Sequence, residues 1–372
     1  MVLIGGWGSL SAQSAGSNYA RQVNTLIGTK GVGLTSGYLY PGATYPYGMV
    51  QFTPSYFSKR SGFVINQLSG GGCEHMGNFP TFPVKGKLKM SPDNILNYRI
   101  NISEEKGHAG YYEAKVQEDI HAKLTVTERT GMASYEYPAD QQYGTVIIGG
   151  GISATPIEQA AIVITAPNKC EGYAEGGNFC GLRTPYKVYF VAEFDTDALE
   201  SGTWKRDELK PNTTFAEGEY SGVYFTFDVN KKKNIQYKIG VSYVSVENAR
   251  ENLKAENTGW DFLQIQNQAE SKWNHYLGKI EVEGTNPDRT TQFYTHLYRS
   301  FIHPNVCSDV NGEYMGADFR VHKSRSKHYT SFSNWDTYRT QIQLLSILDP
   351  EVASDIAVSY THLRAHETVL DL

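Results

Sequence analysis

Between Val23 and Val246 the chain repeats one pattern: short runs of alternating apolar and polar residues, cut by Gly, Pro and Asn. "GMVQFTPS", "AKLTVTERTGMASYEY", "GTVIIGGGI", "YKVYFVAEF", "SGVYFTFDV" and "IQYKIGVSYVSV" all follow it. A period of two places successive side chains on opposite faces of an extended strand, so each run has one face to bury. Helical spacing is nearly absent over this range. Short strands separated by turn residues bury their apolar faces by packing two antiparallel sheets together, which predicts a β-sandwich over residues 21–246.

The period then changes. "ENARENLKAENTGWDFLQIQNQAESKWNHYLGKI" (Glu247 to Ile280) places apolar residues three to four apart among helix formers, predicting a helical linker over residues 247–285. "TQFYTHLYRSFIHPN" resumes that spacing, and "WDTYRTQIQLLSIL" predicts one last helix after Asn334. Residues 286–358 therefore read as the opening of an all-α domain. Two helices and a loop bury too little surface to stand alone, so they must pack on the sandwich or on further sequence. "SYTHLRAHETVLDL" (residues 359–372) breaks abruptly in composition and reads as a non-native tail, with a genuine terminal helix as the alternative.

At the other end, "MVLIGGWGSLSAQSAGSNYA" (residues 1–20) reads as a partial secretory leader, which predicts a secreted or periplasmic protein. No later run approaches the roughly 18 apolar residues of a membrane-spanning helix. Net charge is −5 with no basic block, which leaves neither nucleic acid nor an anionic membrane surface an electrostatic footprint. There are four cysteines, and Cys170 and Cys180 flank "CEGYAEGGNFC", which reads as a turn-rich loop whose glycines let its ends meet. A disulfide there suits an oxidising compartment; the alternative is two unpaired thiols. CxxC and HExxH zinc patterns, the GxSxG elbow and the phosphate-binding GxxxxGK[ST] loop are all missing.

Three stretches carry candidate chemistry. "LYPGATYPYGMVQFTPS" (Leu39 to Ser55) is a turn–strand unit; its Tyr40, Tyr45 and Tyr47, with Tyr38 before them, either pack inside or line a ligand-facing rim. "SGGGCEHMGNFPTFP" (Ser69 to Pro83) is neither good strand nor good helix. It is a loop whose Glu74, His75 and Asn78 can bond hydroxyl groups, or simply a surface loop. "FSNWDTYRTQIQLLSIL" has two physical readings. Ser333 or Asn334 can cap a helix, with Asp336 favoured in its first turn, Asp336 and Arg339 paired, and Trp335 in a core. Alternatively, the indole meets the apolar face of a pyranose and the carboxylate accepts bonds from vicinal hydroxyls.

Taken in order, "VNTLIGT", "YPGATYPYGMVQFTPS", "GCEHMGN", "FYTHLYRSFIHPNVCSDVNGEYMG" and "FSNWDTYRTQIQLLSIL" resemble glycoside hydrolase family 92, calcium-dependent exo-acting α-mannosidases. The resemblance runs from about Val23 to Ala357. It implies an N-terminal β-sandwich, a helical linker and the start of an (α/α)6 barrel, with mannose-containing glycans as substrate and inversion at the anomeric carbon. It also implies that Trp335 and Asp336 contact mannose in the −1 subsite, with Arg339 in the same motif. The Glu74–His75 loop, where the family more usually has Ser-His, is implied to reach the same pocket. Family members run to about twice this length. The general acid, the base and most calcium ligands are therefore expected beyond this chain, and Asp309, Glu313 and Asp318 take no catalytic role. The competing expectation is a non-catalytic carbohydrate-binding module built on the sandwich, for which the helical segment would be superfluous.

Overall fold

The computed structural model describes residues 18–30, 37–55, 62–92 and 101–370. The leader assigned to residues 1–20 falls mostly outside them.

Two antiparallel sheets form the N-terminal part. The eight-stranded sheet runs from Ala43–Thr44 through Gln51–Pro54, Phe63–Val64, Thr81–Lys85, Tyr143–Gly149, Ser221–Asp228 and Glu200–Lys205 to Glu208–Pro211. The nine-stranded sheet runs from Phe215–Glu217 through Ile157–Ala166, Lys169–Phe179, Leu182–Phe194, Asn234–Ser242, Thr130–Glu136, Ile120–Val126 and Tyr111–Val116 to Ile102–His108. Alternation sets what each strand buries: along Tyr111–Val116, Tyr112, Ala114 and Val116 face inward and their neighbours are partly exposed. Strands at the centre of the first sheet are buried nearly throughout. There Ile147 lies between Phe82 on one neighbour and Tyr224 on the other. Phe52, Phe63, Phe190, Phe194, Trp204 and Tyr237 fill the space between the sheets. Each large apolar side chain so buried contributes roughly 1.5–3 kcal/mol before entropy is counted.

Among the described residues the helices that follow are α1 (Val246–Glu256), α2 (Phe262–Leu277), α3 (Pro287–Ser300), α4 (Asn334–Thr337), α5 (Gln341–Leu348) and α6 (Pro350–Leu370). Ser245, Asp261 and Asn286 start α1, α2 and α3, each accepting a backbone N–H with its side chain. Among α2 and α3, Trp273, Tyr276, Leu277, Tyr294 and Tyr298 form a second core that also takes Ala20, Val23, Tyr40 and Tyr47. Trp273 donates its indole N–H to the Thr44 carbonyl at 2.7 Å. The helices therefore close their core against the sandwich. Tyr40 and Tyr47 belong to that core, not to a rim; Tyr47 meets Tyr276, Phe301 and Tyr329 edge-on.

Two local expectations are corrected. The run after Asn334 is not one helix: a turn at Tyr338–Thr340 separates four-residue α4 from α5. The turn brings the Gln341 amide to the Ser300 and His303 carbonyls at 3.0 and 3.3 Å. Nor is Cys170–Cys180 the disulfide. All of "CEGYAEGGNFC" but its last residue lies in an 11-residue strand, Lys169–Phe179, so Cys170 near its start and Cys180 just past its end stand roughly 30 Å apart. Cys180 pairs with Cys73, 107 residues away, while Cys170 points into the core as a free thiol. At the C-terminal end α6 runs continuously across Ser359, whose hydroxyl accepts the Tyr329 N–H at 3.0 Å.

Candidate functional site

The Ser69–Pro80 loop joins strands Phe63–Val64 and Thr81–Lys85. His75 is only 3% exposed, and both ring nitrogens face backbone: Nε2 accepts from the Leu68 N–H at 2.8 Å and Nδ1 donates to the Cys73 carbonyl at 2.6 Å. Burial is the main influence on its pKa and lowers it, so the ring is neutral and organises the loop. Asn78 is likewise buried, its carboxamide oxygen accepting from Asn66 at 3.0 Å and from the Tyr186 hydroxyl at 2.6 Å. Glu74, between them, is exposed and has no hydrogen-bond or ion-pair partner among the described residues.

The Asn334–Arg339 stretch presents the second group. Ser333 occupies the cap position of α4, but its hydroxyl donates to the Asp336 carboxylate and makes no bond to a backbone N–H. Trp335 is not core: it is 81% exposed, beside an exposed Asp336. Arg339 does not pair with Asp336; its Nε donates to the Tyr338 hydroxyl at 2.9 Å. Arg339 also borders an open depression of about 590 Å³ with Arg299, Ser300, Thr340, Gln341, Gln343, Leu344 and Ile347.

The two groups are connected through His303, a residue inside "FIHPN". Its Nε2 accepts the Ser69 N–H at 2.9 Å, and its Nδ1 donates to Asn305 Oδ1 at 2.8 Å. Its carbonyl accepts from Gln341, two residues beyond Arg339. Burial pushes the His303 pKa down to about 4, so the ring stays neutral and keeps both bonds. A histidine in a mixed run gives no signal of its own. Only the fold shows that it meets a loop more than two hundred residues earlier.

The remaining carboxylates have other work. Asp309 is 2% exposed and accepts from Ser242, Asn248 and Asn252 at 2.7, 2.9 and 2.6 Å, tying the last sandwich strand and α1 to the loop after α3. Burial is the largest influence on its pKa and raises it. Asp318 bonds His322 Nε2 at 2.9 Å. Among the described residues no three His, Cys, Asp or Glu side chains converge to hold a metal ion, and the most buried carboxylate is saturated with donors. These residues do not fit calcium. Among the described residues, no helix is long and apolar enough to cross a membrane.

Comparison with known proteins gives a consistent picture. The model of the glycosyl hydrolase family 92 N-terminal domain matches residues 22–242, and that of the family 92 catalytic domain matches residues 248–371. A protein of Arthroderma benhamiae described as an uncharacterized secreted glycosidase is 26% identical over 86% of this chain and 45% of its own length. A family GH92 α-mannosidase from Bacteroides thetaiotaomicron superimposes with a TM-score of 0.83 at 26% identity, over 93% of this chain and 50% of that one. The same enzyme has also been solved with mannoimidazole. A family GH92 inverting mannosidase from the same species gives a TM-score of 0.78 at 25% identity, over 92% and 48%. The chain thus spans about half the length of the relatives it matches.

Proposed function

This chain belongs to glycosyl hydrolase family 92, and from that premise we propose that it is the sugar-gripping part of a secreted, inverting exo-α-mannosidase acting on terminal α-mannosides of glycans. One observation carries the reading: a large indole, Trp335, stands in solvent beside the Asp336 carboxylate at the start of α4. Exposed apolar surface beside a polar group suits a ligand that is apolar on one face and hydroxylated at its edge. Trp335 packs on the C–H face of the mannose ring. Asp336, oriented by the Ser333 hydroxyl, accepts bonds from two adjacent hydroxyls. Arg339 and the unpaired Glu74 carboxylate contact the rest of the glycan. The Cys73–Cys180 bridge and the secreted relative support an oxidising, extracellular setting.

Inverting hydrolysis requires a general acid and a general base about 6.5–9.5 Å apart, with a water between the base and the anomeric carbon. The described residues contribute binding and orientation to that scheme and not the proton transfers. The acid and base belong to the remainder of the catalytic domain. Calcium enters as a cofactor of the whole enzyme, with ligands outside the described set. Against a free-standing carbohydrate-binding module stands the core that the sandwich shares with α2 and α3, which ties the two parts into one unit.

Calorimetric titration of the chain with mannoimidazole tests the grip. Binding should be measurable and should weaken at least about tenfold in Trp335→Ala, the scale of one stacked ring plus its buried area. Equal affinity of the two proteins removes Trp335 from the site. Assay of the chain on an aryl α-mannoside should give no turnover, and measurable hydrolysis would mean that acid and base lie among these residues.

A further inference from the structure

The Cys73–Cys180 disulfide sits where a packed fold has least need of a staple. The two sheets already share a continuous hydrophobic core, and the bridge lies outside it, with Cys180 exposed. It links the Ser69–Pro80 loop of one sheet to the tip of the hairpin formed by Lys169–Phe179 and Leu182–Phe194 in the other. Phe179 and Leu182 are the last pair of that hairpin, so Cys180 and Gly181 are its two-residue turn, with φ of 54° and 84°. Positive φ at both positions is the geometry for which Asn-Gly is the favoured sequence. A cysteine in the first position is a costlier choice. What it adds is a thiol at the point of the hairpin.

The partner loop is rich in glycine and in left-handed backbone. Gly70, Gly71 and Gly72 precede Cys73, and Met76, Gly77 and Phe79 all take positive φ. Gly71 has no room for a side chain, since a Cβ there would stand 2.7 Å from the His75 ring. Around the bridge the hairpin also braces the loop without covalent bonds. Phe179 meets the His75 ring edge-on at 5.7 Å, and Tyr186 bonds Asn78 at 2.6 Å. On the other side His303 holds the Ser69 N–H. Cys73 is adjacent to Glu74, the loop's one carboxylate.

We infer that the Cys73–Cys180 disulfide is a positioning element: it holds the glycine-rich loop against the hairpin tip so that Glu74 is presented to the glycan, and cutting it loosens this loop while leaving the sandwich folded. The sugar half of this inference rests on the function proposed above. Cys180 is exposed and open to attack by an external thiol, whereas Cys170 and Cys307 are buried with thiol pKa values raised by burial. With dithiothreitol, one thiolate attacks Cys180 Sγ and the S–S bond breaks, releasing Cys73 as a thiolate that takes a proton. The reagent's second thiol then displaces Cys180 in turn. The reagent leaves as its cyclic disulfide, and two protein thiols replace one protein disulfide.

The test uses the folded chain in three forms: oxidised, reduced and then alkylated with iodoacetamide, and Cys73→Ser/Cys180→Ser. Mass spectrometry confirms that two alkyl groups are added. Amide hydrogen exchange should accelerate about tenfold or more across residues 69–79 and the hairpin tip, with the sandwich strands unchanged. Mannoimidazole affinity should fall in parallel. Unchanged exchange in the loop overturns the inference, and acceleration throughout both sheets makes the bridge a fold staple instead. Faster loop exchange with unaltered affinity separates the loop from the sugar and overturns its positioning role. If the oxidised chain binds no mannoimidazole, the proposed function fails, yet the exchange pattern still decides whether the bridge orders the loop.

Discussion

The sandwich and the α4–α5 segment handle apolar side chains in opposite ways. In the sandwich, alternation hands almost every large apolar residue to the inter-sheet core: Trp204, Phe63 and Phe194 have no exposed surface. In α5, "QIQLLSIL" is apolar on most sides, yet only Leu345 is fully buried; Ile342 is 41% and Ile347 78% exposed. A helix apolar around its circumference is ordinarily an interior helix. The sandwich is thus a region whose pattern is closed by the chain's own partners. The α4–α5 segment presents apolar surface outward, Trp335 most of all.

Truncation in the core should break this contrast most visibly. Trp204→Ala should cost about 3–5 kcal/mol in chemical denaturation, through lost burial and the cavity left behind. If it costs no more than Ile347→Ala, the sandwich is not the stability-determining part.

The junction between the regions comes next. His303 has its folded pKa pushed down to about 4, while a histidine in the unfolded chain titrates near 6.5. The unfolded state therefore binds the proton first. The stability contribution is present above about pH 6.5 and is lost as the pH falls toward 4. Between pH 7.5 and 5 the native protein should lose about 2 kcal/mol more than His303→Gln, which has no proton to take up. Identical pH profiles would mean that the ring takes up its proton in the fold as readily as in the unfolded chain. His75, also lowered by burial, shifts in the same direction and provides a second variant to compare.

On the exposed side the effects should be smallest. Trp335→Ala and Ile347→Ala should each change stability by less than about 0.5 kcal/mol, because little packing is removed. Only the first should impair mannoimidazole binding. A destabilisation of about 2 kcal/mol in either variant would place that side chain in a core.

Much of this contrast is legible from residue order. Period two over Val23–Val246 and three-to-four spacing after Glu247 specify which segments are strands and which are helices, because each has one face that must leave water. "WDTYR" was recognisable as a place where an indole and a carboxylate adjoin. What could not be read was pairing across distance. "CEGYAEGGNFC" suggested a loop closed on itself because its cysteines are near in sequence. Its glycines lie in a strand, whose extension drives those cysteines apart. His75 and Asn78 offered hydrogen-bonding groups as a sugar site would, and the fold turns both inward to hold the loop.

The sequence by itself therefore determined the two halves of the architecture, since periodicity is a local consequence of backbone geometry and the exclusion of apolar groups from water. The tertiary structure alone decided that Cys73 meets Cys180, that His303 joins the Glu74 loop to the segment after Arg339, and that Trp335 is left in solvent. Those outcomes depend on which strands and helices become neighbours. Neighbourhood is set by how whole faces pack together, and no short stretch of residues carries that information.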